Sequence, residues 1–289
     1  MSAHTTTEDR TAAIAPPLLE VRNLVVRYGK NTAPAVDDVS FTIGQGETLG
    51  LIGESGSGKT TIGRAILGLV PVASGRILFQ GRDITQASAA QRRALRGELR
   101  AVFQDPYSSL DPRQTIGQAI GEPLRVAGTS RGDRLSRITA VLDAVGLPAA
   151  SAARYPREFS GGQRQRIAIA RALITDPVLV VCDEAVSALD LSTQAQVLNL
   201  LASLRERSEL GYLFIAHDMA VVEFLAQRIV VLNRGRVVEE GTTAEVVGNP
   251  KEHYTRVLMA ASPVPDPDEQ ARRRETWRAL RASAATDAA

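Results

Sequence analysis

Gly53-Glu54-Ser55-Gly56-Ser57-Gly58-Lys59-Thr60 follows the spacing G-x-x-x-x-G-K-[ST]. Glycines at these positions let the backbone wrap an anion, so that successive N–H groups point inward as a phosphate nest. A helix beginning at the end of the loop adds its positive N-terminal end. Lys59 supplies a mobile charge for the β- and γ-phosphates of a nucleotide, and the Thr60 hydroxyl is a hard oxygen ligand suited to Mg2+. The chain has three lysines, Lys30, Lys59 and Lys251, so one inside this loop stands out. A chance Gly/Ser linker would match the letters but not the setting. Leu49, Leu51 and Ile52 predict a strand just before the loop, and Ile62, Ala65, Ile66 and Leu69 fall at helical spacing just after it.

Two further groups have the right chemistry. Asp183-Glu184 follows the apolar run 178–182. Neighbouring side chains at a strand end point to opposite sides, so Asp183 can hold a metal ion while Glu184 activates a water. Alone, the pair also fits a helix N-cap acid at a strand-to-helix turn; a phosphate loop earlier in the chain gives it more weight. Ser160-Gly161-Gly162-Gln163 opens an Arg-rich helix reaching Ile174. Ser160 is a natural N-cap, and the glycines expose N–H groups at a second positive helix end. A simple capped helix explains Ser160 but not a Gly-Gly pair, which costs helix stability.

The elements that must position these groups follow from periodicity. Val21, Leu24 and Val26 begin a strand ending at Tyr28-Gly29, and Val39, Phe41 and Ile43 alternate with polar residues. Short strands are also predicted at 76–79, 101–103, 178–182, 213–216 and 229–232, with an edge strand at 236–239 after the turn Asn233-Arg234-Gly235. Residues 88–99 read as helical, and Val197, Leu198, Leu201 and Leu204 mark another helix. From Thr115 to about Phe159, helical patches without strand signals read as a helical insertion. Strands alternating with helices argue for an α/β fold with a largely parallel sheet. Residues 1–17 read as a disordered tail. After Gly248, prolines and then an Arg-rich run mark a C-terminal extension, whose removal is expected to leave nucleotide binding intact.

The 289 residues are 44% hydrophobic and 23% charged, which reads as a globular chain with one main domain and appendages. A net charge of +2 is too mild to argue for nucleic-acid binding. The single cysteine, Cys182, excludes an internal disulfide, a cysteine-ligated zinc and a cysteine-held iron–sulfur cluster, and fits a reducing compartment. No stretch approaches the ~20 apolar residues that span a bilayer, and residues 2–17 lack a signal-peptide core. A cytosolic protein is expected, with room for a membrane-protein partner.

The order of these motifs closely resembles the ATP-binding subunits of ABC transporters, over about Leu18 to Gly248. Gly53 to Thr60 matches Walker A, Gln104 the Q-loop, Ser160 to Gln163 the signature, Val178 to Glu184 Walker B, Ser187-Ala188-Leu189-Asp190 the D-loop and His217 the switch histidine. The likeness is closer still to the oligopeptide/dipeptide permease branch. There it rests on Phe103 to Pro112, Phe159 to Ile167, Gln194 to Leu201, and the tail Asn249-Pro250 with His253-Tyr254-Thr255-Arg256.

The resemblance implies a P-loop NTPase cassette: a RecA-like core with a mixed sheet, an antiparallel β region and a helical subdomain at about 113–163. A cassette over 18–248 and a permease-type extension over 249–289 follow. It implies ATP hydrolysis powering an importer, for oligopeptides or dipeptides by default, with nickel, glutathione or oligosaccharide as other solutes. The cofactors implied are ATP and Mg2+. Tyr28 would stack on adenine, although a strand-end tyrosine also explains it. Gly53, Glu54, Ser55, Gly56, Ser57, Gly58, Lys59, Thr60 and Thr61 would hold the phosphates. Thr60, Gln104 and Asp183 would hold the metal, and Glu184, His217 and Gln104 would serve catalysis. Ser160, Gly161, Gly162 and Gln163 would bind the ATP of a second cassette, and Asp190 would help join the two. The implied partners are membrane-spanning permease subunits, that second ATP-binding subunit and, indirectly, an extracytoplasmic solute-binding protein; nucleic acid is not among them. The implied location is the cytoplasmic face of the cell membrane. Two residues depart from the pattern: Phe159 replaces the usual Leu before the signature, and Ala185 stands where Pro is usual after Asp-Glu. A soluble ABC-type ATPase and a P-loop kinase are the competing readings. The kinase leaves the signature and His217 unexplained.

Overall fold

The computed structural model describes residues 16–29, 32–104, 110–261, 270–272, 274–275 and 277–278. The tail expected at the N-terminus lies outside these residues but for its last two positions, and so does the stretch 105–109. Strands β1 (Leu19–Val26) and β2 (Val36–Ile43) lead to β3 (Thr48–Ile52) and helix α1 (Lys59–Ile66). Next come β4 (Ser74–Phe79), β5 (Arg82–Asp83), α2 (Ala89–Ala94), β6 (Leu99–Phe103), α3 (Ile116–Val126), α4 (Arg131–Ala144) and α5 (Gly161–Leu173). The chain continues through β7 (Leu179–Asp183), α6 (Leu191–Arg207), β8 (Gly211–Ile215), α7 (Met219–Leu225), β9 (Arg228–Asn233), β10 (Arg236–Thr242), α8 (Thr243–Gly248) and α9 (His253–Ala261).

Every residue of β3, β7 and β8 is buried. Successive side chains of a strand face opposite sides, and here each side has its own core. Leu49, Leu51, Leu179, Val181, Leu213 and Ile215 pack in one, while Ile52, Val180, Cys182, Tyr212 and Phe214 pack in the other. A sheet covered on both faces needs unbroken apolar strands, which is how these segments read in the sequence. The six strands lie in the order β10-β9-β3-β8-β7-β6, all neighbours parallel except the hairpin β9–β10. The four-stranded antiparallel sheet, β2-β1-β4-β5, shares its core with α1 through Ile62, Ala65 and Ile66. Helices α3 to α7 contribute to the other core, so α1 and α5 sit on opposite faces of the main sheet.

The helical insertion is present. Between β6 and β7 the described residues hold α3, α4, α5 and two 3-10 turns at 149–153 and 156–158, with no strand. Thr115 and Gln118 cap the start of α3 reciprocally, and Ile116, Ile120 and Leu124 join Ile138 and Leu142 of α4 in the core around α5. The helix expected over 88–99 divides. It ends at Ala94, and Leu99 already belongs to β6, paired with Leu179. Sheet pairing decides here against local helix propensity. The edge strand expected at 236–239 runs on to Thr242. The first strand stops at Val26, short of Tyr28.

Candidate functional site

Four adjacent strands, β3, β8, β7 and β6, end along one edge of the sheet, and each delivers a group to it. Pairing of Leu51 with Ile215, Ile215 with Asp183, and Asp183 with Phe103 sets the ends in one row. The glycine-rich loop leaves β3, His217 lies two residues past β8, Asp183 ends β7 with Glu184 next, and exposed Gln104 follows β6. The carboxyl edge of a parallel sheet is where such folds place ligands.

The loop is anchored from several sides. Ser57 N–H donates to the Glu54 carbonyl (3.1 Å), and Gly235 N–H of the β9–β10 turn donates to the Ser57 carbonyl (3.0 Å). Gly58 adopts a left-handed conformation (φ +104°), and a Cβ there would sit 2.5 Å from the Ala35 carbonyl oxygen, so only glycine fits. Gly58 is also the N-cap of α1, and no side chain caps that end. Helices α2 to α8 each have a side-chain cap. A glycine in place of a capping side chain costs only about a few tenths of a kcal/mol, far less than the roughly 1.5–3 kcal/mol that burying either Ile62 or Ile66 contributes. The core therefore holds α1 in place with its first N–H groups open, which is the cradle a polyphosphate requires.

Lys59 folds over this cradle. Its Nζ donates to the Gly53 carbonyl (2.7 Å), the Glu54 carbonyl (2.8 Å) and, at the limit, Ser57 Oγ (3.4 Å). Burial pushes the ammonium below the ordinary lysine value, against the opposing pull of Glu184, Asp183 and Glu54. Thr60 Oγ1 donates to Asp183 Oδ1 at 2.9 Å, so one hard oxygen from α1 meets one from β7. Burial is the main cause that raises the Asp183 carboxyl above its usual range; Thr60 pulls the other way and Glu184 adds to the rise. A buried carboxylate beside a hydroxyl, next to a phosphate cradle, fits a small dication that also takes phosphate oxygens.

Asp183 and Glu184 diverge as expected. Glu184 Oε1 lies 3.8 Å from His217 Nδ1, too far for a hydrogen bond but close enough for both to address one small molecule. Glu184 carries a φ of +51°. Its N–H donates to the Ile215 carbonyl (2.9 Å), and its carbonyl accepts from the Ser187 hydroxyl (3.0 Å). A non-glycine residue in this region is strained, and the bonds to β8 and Ser187 hold it there.

The ABC transporter family model matches residues 36–187, more than half of the chain and the stretch from β2 through the phosphate loop to Ser187. The chain belongs to the ABC transporter family, as its ATP-binding domain. Among curated relatives, the glutathione import ATP-binding protein GsiA of Salmonella typhimurium is 48% identical over 92% of this chain, and that of Escherichia coli K12 is 50% identical over 91%. The chain spans 44% of the length of those relatives. Among solved structures, cbiO1 of Clostridium perfringens, part of the ABC transporter complex cbiONQ, superposes with a TM-score of 0.75 at 25% identity, covering 81% of this chain and 91% of that one. An ATP-binding cassette solved as a dimer in a post-hydrolysis state with ADP and Pi gives a TM-score of 0.70 at 28% identity, covering 78% and 98%. The expected fold, an α/β P-loop cassette with a mixed sheet and an antiparallel sheet, is the observed one.

The remaining motifs of the cassette fall elsewhere. Ser160 caps α5, with Gln163 N–H donating to Ser160 Oγ (3.3 Å) and Ser160 N–H donating to Gln163 Oε1 (3.0 Å). Gly162 has a packing cause that the sequence did not reveal: a Cβ there would lie 2.0 Å from Thr193 Cγ2 on α6. Asp190 caps α6, accepting from Thr193 N–H (3.0 Å) and the Thr193 hydroxyl (2.7 Å). Those bonds hold the Asp190 carboxyl below its usual range. Tyr28, 61% exposed, hydrogen-bonds through its hydroxyl to Thr61 Oγ1 of α1 (3.1 Å), which sets its ring beside the cassette's loop helix.

The segment 249–261 is packed on the body. Glu239 of β10 accepts from the N–H groups of Lys251 (2.8 Å) and Glu252 (3.2 Å), Thr255 is fully buried, and the Tyr254 hydroxyl accepts from Glu54 N–H (3.1 Å). The tail motif was visible in the sequence. Its contact with the loop, 200 residues away, had no sequence signal.

Proposed function

We propose that this chain is the ATP-binding and ATP-hydrolysing subunit that powers an ABC importer for small peptides. The row of strand ends bearing the phosphate loop, Thr60 with Asp183, and Glu184 with His217 carries the reading. ATP lies with its phosphates on the open end of α1, Lys59 moves from the loop carbonyls to the β- and γ-phosphates, and Tyr28 stacks on adenine. Thr60, Asp183 and Gln104 hold Mg2+, which when bound offsets the charge of the phosphate oxygens. Glu184 accepts a proton from the attacking water, while His217 holds that water and the γ-phosphate in line. Ser160, Gly161, Gly162 and Gln163 complete the site of a second cassette, with Asp190 near the seam. Permease subunits, a second ATP-binding subunit and an external solute-binding protein are the partners, and the cytoplasmic membrane face is the location. No helix among the described residues is long and apolar enough to cross a membrane.

The relatives named for glutathione import favour that solute, a tripeptide, within the peptide class. Measuring Mg2+-dependent phosphate release by the full chain tests the ATPase role. Co-expression with candidate permease subunits and uptake of labelled glutathione or dipeptides tests the solute. Absence of ATP-dependent phosphate release both alone and with every such partner would sink the reading.

A further inference from the structure

We infer that Tyr254, on the helix after the cassette, is a positioning residue for the nucleotide site, setting ATP affinity through the first peptide of the phosphate loop. The inference rests on the ATP-binding reading above and assigns part of that site to the C-terminal segment.

Glu54 is the hub. Its carbonyl accepts from Lys59 Nζ (2.8 Å) and Ser57 N–H (3.1 Å), so the residue shapes the loop and holds the lysine. Its N–H donates outward, to Tyr254 Oη at 3.1 Å. The tyrosine thus clamps the Gly53–Glu54 peptide from outside, while the carbonyl of that same peptide, on Gly53, accepts from Lys59 Nζ (2.7 Å). The clamp is itself fixed. Glu239, 9% exposed, accepts from Lys251 and Glu252 N–H at the start of α9, and Thr255 and Ala260 bury the helix against the body. Tyr254 and Leu258 pack against the core that holds α5 to α7. Burial keeps the Tyr254 phenol protonated beyond the ordinary tyrosine range, so the hydroxyl remains a neutral acceptor at working pH. A loop held in its binding shape loses less entropy when ATP arrives, and removing the hydroxyl forfeits that preorganisation while leaving the ring packed.

The test compares the full-length wild type with Tyr254→Phe, measuring Mg2+-ATP affinity by calorimetry and amide exchange residue by residue. We expect ATP affinity to fall about three- to tenfold, the scale of one hydrogen bond. Turnover at saturating ATP should hold within about twofold, exchange at the Glu54 amide should rise, and protection across 255–260 should stay unchanged. Unchanged affinity in Tyr254→Phe would overturn the inference. So would weakened affinity accompanied by loss of α9 protection, since that is a helix undocking and not a loop repositioned. A wild-type chain that binds no ATP would instead overturn the nucleotide reading on which the inference rests, and the wild-type arm alone reveals that outcome.

Discussion

Glu184 is held at φ +51° on the edge of the sheet, 3.8 Å from His217, and a glutamine placed there carries the same backbone strain. Glu184→Gln therefore changes proton acceptance and little else. We expect this variant to bind Mg2+-ATP normally while hydrolysis falls by about 10²-fold or more, the scale of a lost general base. Parallel measurements of nucleotide affinity and phosphate release check it, and normal hydrolysis would assign the base elsewhere. Cys182 shows the opposite case, a reactive type made inert by its surroundings. It is fully buried in β7, and burial pushes its thiol up to about 12. The thiolate is the reactive form, so iodoacetamide near pH 8 should leave the folded chain unmodified. One equivalent should react once denaturant opens the sheet. Labelling of the native protein, read by mass spectrometry, would show that β7 opens without global unfolding.

At the scale of elements, α5 and α6 are keyed together. Thr193 uses its hydroxyl and N–H on Asp190 while its methyl occupies the space beside Gly162. The start of the signature helix and the residue that caps α6 thus meet at one threonine. In an exposed helix, Gly→Ala stabilises by about 1 kcal/mol. Here the new methyl would meet Thr193 Cγ2 at 2.0 Å, and overpacking costs about 1–3 kcal/mol. We expect Gly162→Ala to destabilise by up to about 2 kcal/mol. Adding Thr193→Ser, which removes the methyl and keeps the hydroxyl on Asp190, should restore most of that loss. Denaturant unfolding of the two variants decides it. A stabilised single variant would mean that α5 stands farther from α6.

For the whole molecule, the decisive feature is that α1 and α5 lie on opposite faces of the six-stranded sheet. In the proposed shared-site arrangement, the phosphate loop of one cassette and the signature end of the other meet at one ATP. If two cassettes share each ATP, Ser160→Arg in one chain and Lys59→Ala in the other damage the same composite site and leave the second intact. With both substitutions in one chain and a wild-type partner, each site loses one component. We expect the first mixed dimer to retain one ATP-trapping site and the second none. The reverse pattern, read by nucleotide occlusion in purified mixed dimers, would place both residues in one site of one chain.

Residue spacing alone determined the phosphate loop, the acidic pair and the capped Ser160 helix, because their chemistry is local: a turn that needs glycine, a strand end, a helix start. It determined the α/β class as well, since strands buried on both faces must be apolar throughout and their alternation with helices admits few layers. The family resemblance added His217, Gln104, Asp190 and Tyr28, which composition and periodicity pass over. Only the tertiary structure decided the order β3-β8-β7-β6, which gathers Lys59, His217, Glu184 and Gln104 along one edge. It alone gave Gly162 a packing cause in Thr193 and brought Tyr254 to Glu54. Strand order and such contacts join residues far apart in the chain, and they come from burying two separate cores at once, an outcome that no local spacing encodes.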